Sequence, residues 1–142
     1  MTTIPDLEIS HDNVKKALNQ LDPSSSMGPD ELHPCLLKAC SSNLSYPIWL
    51  IFRKSLNTSM LSGVWKRSLV VPIFKKGSQY VALNYRPVSL TCVLSKCIER
   101  ILSEYIFSYA NANNLLDANQ YGFGAGKSSE NQLLLTYSDI TK

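Results

Sequence analysis

Partway along this chain the apolar residues stop recurring at helical spacing and become a near-continuous β-branched run, then return to helical spacing. A helix and a strand bury different faces, so one segment cannot satisfy both periods. Before residue 63 the pattern is helical. Val14, Ala17, Leu18 and Leu21 share one face, with Asp12 placed to cap. Pro29 suits a first helical turn with Asp30 and Glu31 near its positive end, and Leu36, Leu37 and Cys40 continue that short helix. Ser45 and Pro47 suit the start of another helix, running through Ile48, Trp49, Ile51, Phe52 and Leu56, and Gly63 marks a break.

Residues 68–74, Ser-Leu-Val-Val-Pro-Ile-Phe, then predict a strand, with Pro72 arguing for an edge position. Lys75, Lys76, Gly77 and Ser78 predict a turn. Residues 85–90 predict a return strand interrupted by Pro87. From Val93 to Tyr109 the helical period returns, with Val93, Leu94, Cys97, Ile98, Ile101, Leu102, Tyr105, Ile106 and Tyr109 on one face. Residues 111–119 predict a polar loop around Leu115 and Leu116. A last helix is expected near Ser129, where Ser129 and Gln132 have capping-box spacing and Leu133, Leu134, Tyr137 and Ile140 give an apolar stripe. The expected class is α+β, mostly helical with a small antiparallel β-hairpin. The helical residues 1–62 precede a second part, 63–142.

The net charge of +3 says little, but its distribution says more. No Asp or Glu occurs from Leu32 to Ile98, while nine Lys and Arg do. A basic block between acidic flanks sets up a local positive field that attracts phosphate. The hairpin would carry Lys75 and Lys76 at its tip and Arg86 on the returning strand. Three cations on a short ribbon suit a triphosphate or a backbone phosphate, and equally suit a charged turn that keeps an edge strand soluble. The start of the chain has no apolar targeting segment, and no run is long enough for a membrane span. Cys35, Cys40, Cys92 and Cys97 are paired five apart, which suits neither zinc knuckles nor fingers. No metal site is expected, and Cys92 and Cys97 read as small apolar fillers, reduced in an intracellular setting.

Four segments in order carry a resemblance. They are Ser26-Met27-Gly28-Pro29-Asp30 with Leu36-Leu37-Lys38; Trp65-Lys66 with Val71-Pro72-Ile73-Phe74-Lys75-Lys76-Gly77; Asn84-Tyr85-Arg86-Pro87-Val88-Ser89-Leu90 with Lys96 and Glu99-Arg100; and Gln120-Tyr121-Gly122-Phe123 with Gly126-Lys127-Ser128. Together they resemble the reverse transcriptase domain of non-LTR retrotransposons, the LINE-type elements of the Jockey and CR1 kind. The resemblance implies a partial right-hand polymerase, with 1–62 as an N-terminal extension and 63–142 as the fingers and the start of the palm, truncated before the rest of the palm and the thumb. It implies that Lys75 or Lys76 and Arg86 contact the incoming deoxynucleoside triphosphate. It also implies that Gln120, Gly122, Phe123, Lys127 and Ser128 line the path of an RNA template paired to a DNA primer. The implied setting is intracellular, in cytoplasm, nucleus or both, with no membrane.

The chain departs from that family's pattern at Glu31, where Gly is usual, and at Gly124, where Arg is usual. The family's catalytic carboxylates, which hold two Mg²⁺ ions, lie in an Ala-Phe-Asp segment and a Tyr-x-Asp-Asp turn. This sequence has no Asp-Asp pair, and Asp139 follows Ser128 too closely to be the first ligand. The expectation is therefore binding without catalytic residues in this chain, Mg²⁺ being needed only by the complete polymerase. The alternative is a non-catalytic nucleic-acid-binding remnant of a mobile element. The phosphate-loop reading of residues 122–128 fails because Tyr121 stands where the first Gly is required.

Overall fold

A computed structural model describes residues 4–117, 126 and 128–141. Two compact units divide the chain, Met1–Tyr105 and Ile106–Lys142.

In the first unit three helices and the first part of a fourth pack around one core. Helix α1 is His11–Asn19. Its cap is Ser10 rather than Asp12: the Ser10 hydroxyl accepts from the Asn13 amide (3.1 Å), and the Asn13 side chain accepts from the Ser10 amide (3.0 Å). This reciprocal pair satisfies two otherwise orphaned groups and moves the helix start upstream, leaving Asp12 in the first turn. Val14, Ala17 and Leu18 are buried on one face, as their spacing predicted.

Helix α2 is Pro34–Ala39. Pro34, not Pro29, takes the first-turn position, and the His33 ring accepts from the Cys35 amide (3.2 Å). Helix α3 is Ser41–Thr58, so it starts before Ser45 and carries Pro47 inside it. An internal proline forfeits one backbone bond. Tertiary hydrogen bonds hold the turns around it: Ser41 donates to the Asn19 side chain (2.7 Å), and fully buried Ser45 bonds the His11 ring (2.7 Å). The helix ends at left-handed Ser59, before Gly63, and the Ser55 hydroxyl binds the Met60 carbonyl (2.7 Å).

The strands are β1, Ser68–Phe74, and β2, Tyr85–Thr91, paired antiparallel with Ser68 opposite Thr91 and Phe74 opposite Tyr85. Pro87 does not interrupt β2; it faces Pro72. The Lys75 amide donates to the Asn84 carbonyl (2.8 Å) just past the strand ends. Counting back in steps of two puts ladder bonds at Ile73–Arg86 and Val71–Val88. The two prolines then fall where both backbone nitrogens point away from the partner strand, so no ladder bond is lost. Both outer edges also lose a donor that could recruit a further strand.

Helix α4, Val93–Ala112, extends past the expected polar-loop boundary. Its buried Val93, Cys97, Ile98 and Ile101 join Val14, Leu18, Leu37, Ile48 and Phe52 in one core, with Leu94 and Leu102 half-buried against it. Trp65 packs edge-on against Phe52 (ring centroids 5.7 Å apart), which fixes the segment between α3 and β1. The Tyr105 hydroxyl donates to the Pro5 carbonyl (2.7 Å), and Lys16 pairs with Glu104 (3.2 Å). That ion pair is exposed, and such pairs contribute little.

The second unit holds the end of α4 and helix α5, Ser129–Ile140. The cap of α5 is Ser128, which accepts from the Asn131 amide (3.2 Å), rather than the expected Ser129 with Gln132. Leu133, Leu134, Tyr137 and Ile140 are all exposed, so the apolar stripe is not buried by any described residue. Among the described residues no helix is long and apolar enough to cross a membrane.

All four thiols are free, and Cys92 and Cys97 are buried as filler residues. Burial pushes the Cys97 thiol from an ordinary 9.0 up to about 11, with nearby Arg100 pulling the other way. A raised thiol pKa in the folded state means that the unfolded state loses its proton first. The Cys97 contribution is therefore complete below pH 9 and is lost as pH rises through about 11. Chemical denaturation between these pH values should show falling stability, with a shallower slope in Cys97→Ala.

Candidate nucleotide and template site

The hairpin projects its cations on a ribbon that is exposed along the whole of β1. Lys75 and Lys76 lie in the connection beyond β1, and both are exposed. Gly77 follows at φ +90°, a conformation that favours glycine, and a Cβ there would meet the Asn84 side-chain nitrogen at 2.8 Å. The Asn84 side chain donates to the Ser78 carbonyl (2.8 Å), and the Tyr85 hydroxyl donates to the Gln79 carbonyl (2.9 Å). A single 3₁₀ turn, Ala82–Asn84, leads into β2. The Phe74 and Tyr85 rings meet edge to face (centroids 5.5 Å apart) and close the strand ends on one side.

Arg86 is opposite Ile73, so strand alternation puts it on the other face from Phe74 and Tyr85. Carried one residue past the strand, the same alternation brings Lys75 to the face of Arg86. Arg86 is exposed. Neither of the two salt bridges among the described residues involves Lys75, Lys76 or Arg86. Three cations with no neutralising acid among the described residues, on a short two-stranded ribbon, form a local positive tip that can take a phosphate chain.

Sequence reasoning did not foresee what holds the base of this ribbon. Gly28 is buried, and a Cβ on it would lie 2.5 Å from the Thr91 carbonyl oxygen and 2.7 Å from the Cys92 Cα. The Gly28-Pro29-Asp30 loop therefore packs backbone to backbone on the junction of β2 and α4. Its turn is closed by the Glu31 amide donating to the Gly28 carbonyl (3.1 Å). Asp30 has both carboxylate oxygens sealed from solvent beside Cys92. Burial first, and then the Asp30 charge, push the Cys92 thiol up, and Cys92 donates to the Val64 carbonyl (3.3 Å). Glycine with a short polar neighbour, far in sequence from the strand it touches, was the available signal.

Of the expected template residues, Gln120, Gly122, Phe123 and Lys127 lie outside the described residues, and Ser128 serves as the cap of α5. Among the described residues no group of three or more His, Cys, Asp or Glu side chains is placed to hold a metal ion.

No family model matches the chain. It is 26% identical over 132 residues to the probable RNA-directed DNA polymerase from transposon BS of Drosophila melanogaster, which covers 92% of this chain and 15% of that protein. It is 30% identical over 107 residues to the probable RNA-directed DNA polymerase from transposon X-element of the same organism, covering 75% of this chain and 12% of that protein. The chain belongs to the retrotransposon reverse-transcriptase family. It spans less than a sixth of the length of these two relatives.

The family resemblance gives the Gly28 loop a structural meaning. Glu31, where family members usually have Gly, has φ +56°. A side chain in that left-handed region costs about 1–2 kcal/mol, part of which glycine gives back as chain entropy. Glu31→Gly should raise stability by up to about 1 kcal/mol, read by chemical denaturation. Gly28→Ala should lower it by roughly 2 kcal/mol or more, because neither the Thr91 nor the Cys92 backbone can yield without moving β2 or α4.

Proposed function

We propose that this chain is the fingers and the start of the palm of a non-LTR retrotransposon reverse transcriptase, and that it binds the incoming deoxynucleoside triphosphate and the primer–template. The observation that carries the reading is the hairpin tip. Lys75 and Lys76 sit at its turn and Arg86 on the return strand, all exposed and with no acid partner among the described residues, in a chain related to transposon RNA-directed DNA polymerases. Lys75 and Lys76 act as point charges on the phosphates. Arg86 offers two interactions, a fork of N–H donors for phosphate oxygens and a flat face for the base. Pro87 fixes the backbone just after Arg86. Gln120, Gly122, Phe123, Lys127 and Ser128 line the template path, with Lys127 on a backbone phosphate.

Residues 1–62 serve as the N-terminal extension. The nucleotidyl transfer, with its Mg²⁺, belongs to the complete polymerase with its remaining palm and thumb segments. The partners are an RNA template and a DNA primer, met in cytoplasm, nucleus or both.

The test is binding of a labelled primer–template with and without the complementary deoxynucleoside triphosphate. Tightening by the matching triphosphate is expected, and charge reversal at Lys76 or Arg86 should abolish it. Salt-sensitive binding that ignores the triphosphate would instead identify a non-catalytic nucleic-acid-binding remnant.

A further inference from the structure

One face of α3 carries a row of flat side chains that the hairpin reading does not use. Tyr46, Trp49 and Arg53 are spaced three and four apart, so they line one side of the helix. The Tyr46 and Trp49 rings lie 5.7 Å apart at a 36° tilt, and the Arg53 guanidinium sits over the Trp49 ring at 5.4 Å. His11 of α1 extends the row, its ring centroid 6.2 Å from that of Tyr46 at an interplanar angle of 63°. The Trp49 indole N–H donates to the Ile9 carbonyl (2.7 Å), which fixes the middle of the row in place.

Core packing does not explain the row's outer members. Tyr46 is 57% exposed and Arg53 is exposed, whereas the core side of α3 is Ile48, Phe52 and Ser55. Beside Arg53 opens a cavity of about 340 Å³ whose walls include Trp49, Leu56, Asn57 and Glu8. α3 carries no acid, and lies within the stretch from Leu32 to Ile98 that has none.

We propose that this face binds an unpaired single-stranded segment of nucleic acid, with bases stacked on Tyr46 and on the Trp49–Arg53 pair and a phosphate held by Arg53. Aromatic rings and guanidinium planes at successive steps match the π-faces of successive bases, and this stacking tolerates any sequence. A duplex hides those faces. The Asn57 amide at the cavity can bond a base edge. Glu8 is the acid at the rim, and it opposes the phosphate.

The experiment uses the whole 142-residue chain carrying Trp65→Phe, so that Trp49 is the sole tryptophan emitter. Short oligouridylate, oligodeoxythymidylate and a blunt duplex are titrated in turn. Saturable quenching by the single strands, and much less by the duplex, is expected. Tyr46→Ala and Arg53→Ala should each weaken single-strand affinity by roughly tenfold. Tyr46→Phe should keep it, and Glu8→Gln should tighten it. Quenching by both oligonucleotides, or by the RNA alone, supports the proposal and separates the two ligands. Equal quenching by the duplex overturns it, as does a Tyr46→Ala chain that binds as tightly as its parent. If Trp65→Phe fails to melt cooperatively, the anisotropy of labelled oligonucleotide on the otherwise native chain gives the same comparison. Charge reversal at Lys75, Lys76 and Arg86 should leave the quenching in place, and its loss there would overturn this site. Failure of the hairpin to respond to triphosphate leaves the quenching untouched, so the two readings fall separately.

Discussion

Gly28 has no side chain, and the backbone of Thr91 and Cys92 lies where one would be. That close approach joins a loop between the first two helices to the point where the hairpin returns and α4 begins. The base of the ribbon that carries the cationic tip rests on it. The ribbon is exposed along β1 and has little core of its own, and a two-stranded hairpin alone is marginal in water. Its base is instead anchored at Cys92, whose buried thiol reaches the Val64 carbonyl, and at Trp65, whose ring rests on Phe52.

The same region shows how polar groups are kept inside the first unit. Ser41 and Ser45 tie α3 to α1 through Asn19 and His11, and these bonds hold the turns around Pro47. Burial keeps the Cys92 thiol protonated to higher pH, and the Asp30 carboxylate beside it adds to that effect. The charge distribution places the cations outside. Lys75, Lys76, Arg86, Arg53 and Lys54 are all exposed, and the acid-free stretch supplies no carboxylate to quench them. A helical platform with a positive ribbon and a row of stacked planes is suited to phosphate chains and open bases.

Much of the fold was legible from spacing. The strand over Ser68–Phe74, the turn at the lysines, the return strand and the α4 helix all follow from hydrophobic period and β-branching, which act locally. Helix starts were less legible. Asp12, Pro29, Ser45 and Ser129 each looked like a start, and Ser10, His33, Cys40 and Ser128 took those places. Several suitable caps stand within a few residues of each start, and the choice among them depends on what the helix packs against. Pro87 looked like an interruption because its effect depends on which way its nitrogen faces, and that depends on strand register.

The sequence by itself determined the α+β class, the hairpin with its three cations, the acid-free stretch around it and the family. Period, charge and ordered motifs are properties of the chain whatever it packs against. Only the tertiary structure decided that Gly28 supports the hairpin's base, that both prolines share one register position, and that His11, Tyr46, Trp49 and Arg53 form one row. It also decided that the apolar stripe of α5 is exposed among the described residues. Each of these depends on distances between residues far apart in the chain or on which face meets a neighbour, and no local pattern encodes that.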